Sequence, residues 1–146
     1  MSDDRYNPWL DAARRYPLVH IEWHPIAPLH AAWCPSTDVI LVDESISKAE
    51  RRCALAHELA HMDAGDTGTS VCWFESRMES AADKLAARRL VDAHQLAEVV
   101  RWAQDGREVA AELDVTPTFL KLRWRWMAPW ERALTWRAVS MKEAAA

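Results

Sequence analysis

His57-Glu58-Leu59-Ala60-His61 places two imidazole rings four residues apart, with a carboxylate between them in the sequence. On an α-helix, residues four apart lie about 40° apart around the axis and about 6 Å apart along it, so both rings can reach one tetrahedral ion. Glu58 then stands over the same cleft and can act as a general base. This HExxH pattern is typical of zinc hydrolases, and it predicts one Zn²⁺ per chain, held by His57 and His61.

A catalytic zinc site takes a third protein ligand and leaves a fourth position for water. The extended pattern with a third histidine is absent, because that position is Thr67. An acid-rich segment, Glu79-Ser80-Ala81-Ala82-Asp83, follows instead, in a stretch from Ser76 to Asp92 with the apolar spacing of a helix. The sequence therefore predicts that Glu79 is the third ligand and faces the histidines from a second helix.

Other roles for these acids stay open at this point. Ser76 followed by Glu79 also fits a capping box, in which Glu79 would satisfy the first amides of its own helix. Glu75 and Asp83 are then the alternative ligands. If Glu79 is the ligand, Asp83 lies one turn further along the same face and can accept the second ring proton of a ligand histidine, which fixes the orientation of that ring.

Length and composition restrict the fold and the compartment. The chain has 146 residues, half of them apolar, which suits one compact domain. Its three cysteines form no CxxC pair, which favours a reducing compartment over a disulfide scaffold, and Cys53 is expected to be a small core residue. The sequence has no signal-like apolar region and no run of about 18 apolar residues, so we expect a cytoplasmic protein without membrane contact.

Capping and turn signals divide the chain into an ordered set of elements. The predictions are a helix after Asn7-Pro8; strands at 18–23, 31–34 and 38–42; a helix from the Ser47–Glu50 capping box to about Gly65; a loop at 64–74; and helices at 76–92, 92–104, 107–113 and 117–127. The predicted class is α+β and mostly helical, with a small mixed or antiparallel sheet of about three strands packed on the HExxH helix and the Glu79 helix. We divide the chain into a zinc metallopeptidase core, residues 1–104, and a helical C-terminal subdomain, residues 105–146, packed together as a single compact unit.

The C-terminal part is basic, although the whole chain has a net charge of −4. Between Phe119 and Lys142 there are six Lys or Arg residues and one acid, together with four of the nine tryptophans. Lys121, Arg123 and Arg125 are candidates for contact with nucleic acid or with a partner protein. Helical stripes of apolar residues favour a core or a partner surface for the tryptophans instead. The stripes are Phe119, Leu122 and Trp126, and Leu120, Trp124 and Met127.

This basic tail supports a second class of function. In that alternative, the chain is a non-catalytic regulator that binds DNA or protein, and the zinc is only a structural staple. A third interpretation is that the tail docks an acidic or helical surface of a protein substrate and so gives selectivity to a peptidase.

Four segments taken together resemble the ImmA/IrrE family of zinc metallopeptidases. They are Ile40-Leu41-Val42, Glu50-Arg51-Arg52, the HExxH pentapeptide and Glu79-Ser80-Ala81-Ala82-Asp83-Lys84-Leu85-Ala86. The resemblance covers residues 18–90 well and the C-terminal third loosely. It implies a minimal thermolysin-like enzyme. The roles that it implies are zinc ligands at His57, His61 and Glu79, a general base at Glu58, and an orienting acid at Asp83, where many relatives carry asparagine.

The resemblance also implies a biological role inside the cell. Such proteins relieve repression by cleaving, or promoting cleavage of, a helix-turn-helix repressor encoded nearby, often on a mobile element or in a stress regulon. They often carry a C-terminal segment like a helix-turn-helix, and residues 109–120 have that shape here. Asp114 stands where the turn glycine is common, which weakens the case for contact with DNA. Direct DNA binding is therefore not favoured.

The predicted reaction is hydrolysis of a peptide bond, in which Glu58 takes a proton from the attacking water and passes it to the leaving amine. The developing oxyanion needs a donor beyond the metal. The sequence offers six candidates and does not choose among them: His20, His24, His30, His94, Tyr6 and Tyr16.

Overall fold

The computed structural model describes residues 4–66 and 72–146, and the side chains in these ranges except those of 72–77. The described residues form a three-stranded sheet and seven helices, which confirms the predicted α+β, mostly helical class. In chain order the elements are α1 (Pro8–Arg15), β1 (His20–His24), β2 (Ala31–Cys34), β3 (Val39–Asp43), α2 (Lys48–Ala64), α3 (Cys72–Leu90), α4 (Ala93–Val100), α5 (Gly106–Glu112), α6 (Pro117–Arg125) and α7 (Pro129–Ala145). None of these helices combines the length and the apolar character that crossing a membrane requires.

Strand β3 lies at the centre of the sheet, between β1 and β2. It pairs in parallel with β1 and antiparallel with β2, so the sheet is mixed. Ile40 and Val42 of β3 are fully buried and form a core cluster with Leu55 and Leu59 of α2. This packing fixes the HExxH helix against the sheet, in which β1 and β2 are the two edge strands.

Helix α2 begins and ends as its sequence predicts. The Ser47 hydroxyl accepts a hydrogen bond from the Glu50 N–H, and the Glu50 carboxylate accepts one from the Ser47 N–H. The helix ends before Gly65, whose φ of 71° lies in the left-handed region that glycine adopts without strain. A second face of α2 packs on α3 through buried Cys53 and Ala56. Cys53 is therefore a core residue, as predicted.

Helix α3 begins at Cys72, four residues earlier than the sequence predicts. Ser76 lies inside the helix, so it is not an N-cap, and the capping-box alternative for Glu79 is wrong. The loop predicted at 64–74 is shortened accordingly. Its residues 67–71 lie outside the described part of the chain.

Buried residues from both predicted parts of the chain share one core cluster. It joins residues of α2, α3 and α4 to Val109 of α5 and to Met127, which follows α6. Neither of the two core clusters of the described residues is confined to 105–146. The boundary after residue 104 stays a prediction.

The C-terminal helix α7 corrects the expectation from the sequence, in which the last helix ends at residue 127. Its start carries recognisable signals: Pro129 stands in the first turn, and the Glu131 carboxylate accepts a hydrogen bond from the Ala128 N–H at 2.8 Å. The dense basic and aromatic composition conceals the apolar spacing of this helix. α7 packs chiefly on α4.

Arg52 ties several segments to the HExxH helix. Its side chain is buried and donates to the carbonyl oxygens of Tyr6 at 2.8 Å, Asp114 at 3.0 Å and Leu113 at 3.2 Å. A guanidinium carries five N–H donors, and burial is tolerated only where these donors find acceptors. The N-terminal segment and the end of α5 therefore fix α2 from outside the sheet.

Candidate metal centre

Three side chains predicted as ligands converge in the structure. His57 Nε2 lies 3.0 Å from a Glu79 carboxylate oxygen, and His61 Nε2 lies 2.9 Å from the other. The two Nε2 atoms are 3.0 Å apart. One ligand atom from each of the three residues lies within 4.8 Å of the other two, which is a group able to hold a metal ion. The side chain of the alternative ligand Glu75 lies outside the described residues.

Each histidine has a carboxylate partner behind it. Asp83 Oδ1 lies 2.9 Å from His57 Nδ1, and Asp66 Oδ2 lies 2.8 Å from His61 Nδ1. A neutral ring that donates from Nδ1 presents the lone pair of Nε2, so these contacts aim both Nε2 atoms at the shared point. The donor set of two imidazoles and one carboxylate fits a catalytic zinc site, which takes three protein ligands.

Asp66 is not among the residues that the sequence motifs predict for the site. Gly65 is the sequence signal that could have predicted this position of Asp66. A left-handed residue at the end of a helix reverses the chain, so that the next residue lies against the last helical turn. The Asp66 N–H donates to the His61 carbonyl oxygen at 3.0 Å, and this backbone contact brings the Asp66 side chain beside the His61 ring. A glycine C-cap placed four residues after an HExxH histidine therefore predicts that the next residue can orient that histidine.

Glu58 stands over the same site from the following helix position. Its side chain is directed to the sheet edge, where Oε2 accepts a hydrogen bond from the Trp33 N–H at 2.9 Å. Burial raises the pKa of this carboxyl above its ordinary value. A raised carboxyl pKa brings proton uptake closer to neutral pH, which suits an acid-base group.

The charges of the cluster stabilise one another. Burial lowers the pKa of His57, but hydrogen bonds with Asp83 and Glu79 outweigh it and raise that pKa from 6.5 to about 10. The hydrogen bond from His57 also lowers the pKa of Glu79. A protonated imidazole therefore balances the surrounding carboxylates until a metal ion takes its place.

A cleft of about 1070 Å³ opens over these residues. Strand β2 lines it with Ala31–Trp33, the α5–α6 connection lines it with Val115 and Thr116, and the start of α6 lines it with Pro117–Phe119. Of the six candidate oxyanion donors, His30 alone is among the described lining residues. The Tyr6 hydroxyl donates to Asp11, and the Tyr16 hydroxyl donates to Asp63. His24 contacts Glu22, and His94 lies near Trp130.

The three basic candidates do not share one surface. Arg123 is 3% exposed, its Nε donates to the Val91 carbonyl oxygen at 2.7 Å, and its two terminal nitrogens bind the carboxylate of Glu131. The expectation that Arg123 contacts nucleic acid or a partner is therefore wrong. Lys121 and Arg125 are exposed.

The predicted helix-turn-helix resemblance corresponds to α5, the connection after it, and α6. Asp114 in the connection has a φ of 54°, so it adopts the left-handed conformation expected at the turn. The first residues of α6, Pro117–Phe119, line the metal cleft. In a DNA-binding helix-turn-helix, the start of the second helix contacts base edges. Here that position faces the cleft instead.

The arrangement is the one found in HExxH metallopeptidases: two histidines lie on one helix, an acid lies on the next helix, and a further carboxylate is held at a sheet edge. A comparison with family models agrees with this class. The model described as the IrrE N-terminal-like domain, Peptidase M78, matches residues 21–125, and the chain belongs to this family. The match confirms the resemblance and supports a peptidase with a metal-binding site. No curated protein matches the chain.

Proposed function

We propose that this chain is a zinc-dependent endopeptidase. The observation that carries the proposal is the convergence of His57, His61 and Glu79 beneath the cleft that Glu58 also faces. One zinc ion held by these three residues would polarise the substrate carbonyl and make water acidic enough to lose a proton near neutral pH. The family match supports the same class of reaction.

Glu58 is the proposed general base and general acid. It takes a proton from the attacking water and later gives that proton to the leaving amine. The Trp33 N–H holds one carboxylate oxygen, which leaves the other to face the water. Asp66 and Asp83 keep the two imidazoles in the tautomer that exposes Nε2.

Strand β2 is the proposed substrate platform. The Trp33 N–H points away from β3 and into the cleft, and pleating directs the backbone of Ala31 to the same side. An extended peptide can therefore add to this edge through main-chain hydrogen bonds with Ala31, beside the metal ligands, while the Trp33 N–H stays with Glu58. Such a mode accepts an internal stretch of polypeptide, which suits an endopeptidase.

The proposed substrate is a helix-turn-helix transcriptional repressor, which makes the chain an intracellular anti-repressor of a mobile element or stress regulon. Membership of the IrrE-like family supports this choice. The test identifies a helix-turn-helix repressor encoded next to the gene of this protein and incubates it with the purified zinc-loaded protein. Mass spectrometry should find one zinc-dependent cut in the repressor, and an unrelated helical protein should stay whole. An intact repressor after long incubation at equimolar enzyme would reject this substrate.

The alternative function, a non-catalytic regulator that binds DNA or protein and holds a structural zinc, has less support. Structural zinc sites are closed by four protein ligands, whereas the cluster among the described residues has three. Arg123 is buried, and the start of α6 faces the cleft. These placements remove two of the contacts on which DNA binding would depend.

Asp66 gives a test of the site that does not need a substrate. Asp66→Ala removes the partner of His61 Nδ1, so we expect zinc affinity to fall about 10- to 100-fold while the fold is kept. Competition with a fluorescent chelator measures the change. Glu98→Ala, an exposed carboxylate change on α4, is the matched control and should leave the affinity unchanged. Equal affinities in the two variants would show that Asp66 does not orient the ligand.

Zinc binding should release protons. Because hydrogen bonds to Asp83 and Glu79 raise the pKa of His57 to about 10, its ring carries a proton at pH 7 that a metal must displace. We expect at least one proton per zinc at pH 7, and an affinity that rises with pH until His57 is neutral. Calorimetry in two buffers of different ionisation enthalpy measures the release. Identical heats in both buffers would contradict a protonated His57.

A further inference from the structure

We propose that a second cavity, among the C-terminal helices, binds a single-chain amphiphile with an anionic head, such as a fatty carboxylate. This cavity has a volume of about 490 Å³, within the range of small-molecule sites. Its described lining shares no residue with the metal cleft. The site is independent of the proposed peptidase activity and can be tested without it.

The interior of this cavity is apolar. Leu96 of α4 and Val109 of α5 are buried at its base, and Leu120 and Trp124 of α6 are partly buried beside them. Val139 of α7 lines the remaining side. Four helices thus surround apolar surface that none of them covers, and filling it with an alkyl chain removes that surface from water.

The rim of the cavity is cationic. Lys121 and Arg125 lie one helical turn apart on α6, and Lys142 reaches the rim from α7, where its ammonium donates to the Ala103 carbonyl oxygen. No described side chain forms a salt bridge with these three cations. Asp105, the one acid among the described lining residues, accepts hydrogen bonds from the backbone of its own helix start.

This combination selects the class of ligand. An apolar interior accepts an alkyl chain, and cations without carboxylate partners at the rim accept one carboxylate head. The positive charge at this rim contrasts with the net charge of −4 of the whole chain. A neutral or cationic amphiphile would leave the rim charges without a partner.

Calorimetry of the full-length protein with decanoate tests the proposal. We expect saturable binding of one decanoate per chain, an affinity that rises about fourfold for each added CH₂ from octanoate to decanoate, and binding of decyltrimethylammonium at least tenfold weaker. The double variant Lys121→Glu with Arg125→Glu should bind decanoate at least tenfold more weakly. The matched control, Arg107→Glu with Arg137→Glu, makes the same charge change on exposed residues outside the cavity and should bind normally.

Several outcomes would overturn the proposal. They are no saturable binding of decanoate, equal binding of the anionic and cationic probes, and an equal loss of binding in both double variants. Sedimentation of the protein without ligand provides a further check. A dimer that decanoate does not dissociate, and that Lys121→Glu with Arg125→Glu abolishes, would make a second copy of the chain the occupant instead.

Discussion

Glu58→Gln is expected to bind zinc normally and to lose about a thousandfold in the rate of peptide hydrolysis. General acid-base groups contribute about 10² to 10⁴ in rate, and a glutamine amide cannot carry the proton from water to the leaving amine. His57, His61 and Glu79 are unchanged, so zinc content measured by elemental analysis should stay at one per chain. Cleavage of the repressor, followed over time, gives the rate.

The stability of Glu58→Gln separates catalysis from folding. Burial raises the pKa of the native Glu58 carboxyl. The charged carboxylate therefore destabilises the native state, and this loss of stability develops as the pH rises above the pKa of the unfolded chain. The neutral amide removes this cost, and thermal unfolding at pH 8 should occur at the same temperature as in the unchanged protein or higher. Glu44→Gln, at an exposed position, is the matched control and should keep full activity. A fully active Glu58→Gln protein would disprove the assigned role.

Arg123→Ala is expected to lower the free energy of unfolding by about 3–5 kcal/mol, because it leaves the Glu131 carboxylate buried without its partner. The total stability of a domain is about 5–15 kcal/mol, so this loss threatens folding. The hydrogen bond from Arg123 lowers the pKa of Glu131. The ion pair therefore stabilises the folded state above the ordinary carboxyl pKa, and this stabilisation is lost as the pH falls through the pKa of Glu131 in the folded protein. Urea unfolding at pH 7 measures the loss.

Two comparisons make the Arg123 result specific. Arg125→Ala, at an exposed position of the same helix, should change the free energy of unfolding by less than about 0.5 kcal/mol. Removing both charges with Arg123→Met and Glu131→Met should recover part of the loss, since no buried charge is left unpaired. If Arg123→Ala instead keeps full stability and weakens binding to DNA in a salt-dependent way, Arg123 is a nucleic-acid contact and the buried pair is not its role.

Local signals made much of the fold and of the metal cluster predictable. Ser47, Glu50 and Gly65 set the ends of α2 by hydrogen bonds and backbone angles that involve only near neighbours. The spacing of His57 and His61 is likewise a property of a single helix. The prediction of Glu79 as a ligand depended on a second motif, Glu79-Ser80-Ala81-Ala82-Asp83. The apolar spacing around this motif predicts that Glu79 lies on the face of α3 that packs on α2.

Tertiary packing decided the features that the sequence did not reveal. A basic residue such as Arg123 is usually on the surface, and its burial depends on Val91 and Glu131, which come together only in the folded chain. His30 is the one candidate oxyanion donor among the described residues of the cleft, and its position there depends on how β2 lies beside α2. Asp66 falls between these cases, because a local turn places it.

The contacts of Arg52 determine when the histidine-bearing helix can finish folding during synthesis of the chain. The carbonyl groups of Leu113 and Asp114 that accept from its guanidinium are more than sixty residues later in the chain. A nascent polypeptide that has left the ribosome only as far as α3 lacks these two acceptors and keeps those of Tyr6 and Leu90. A guanidinium that has lost part of its acceptors is costly to bury. We therefore expect the histidine-bearing helix to reach its final packing only after translation has passed these positions, so that prematurely terminated products are inactive and open to degradation.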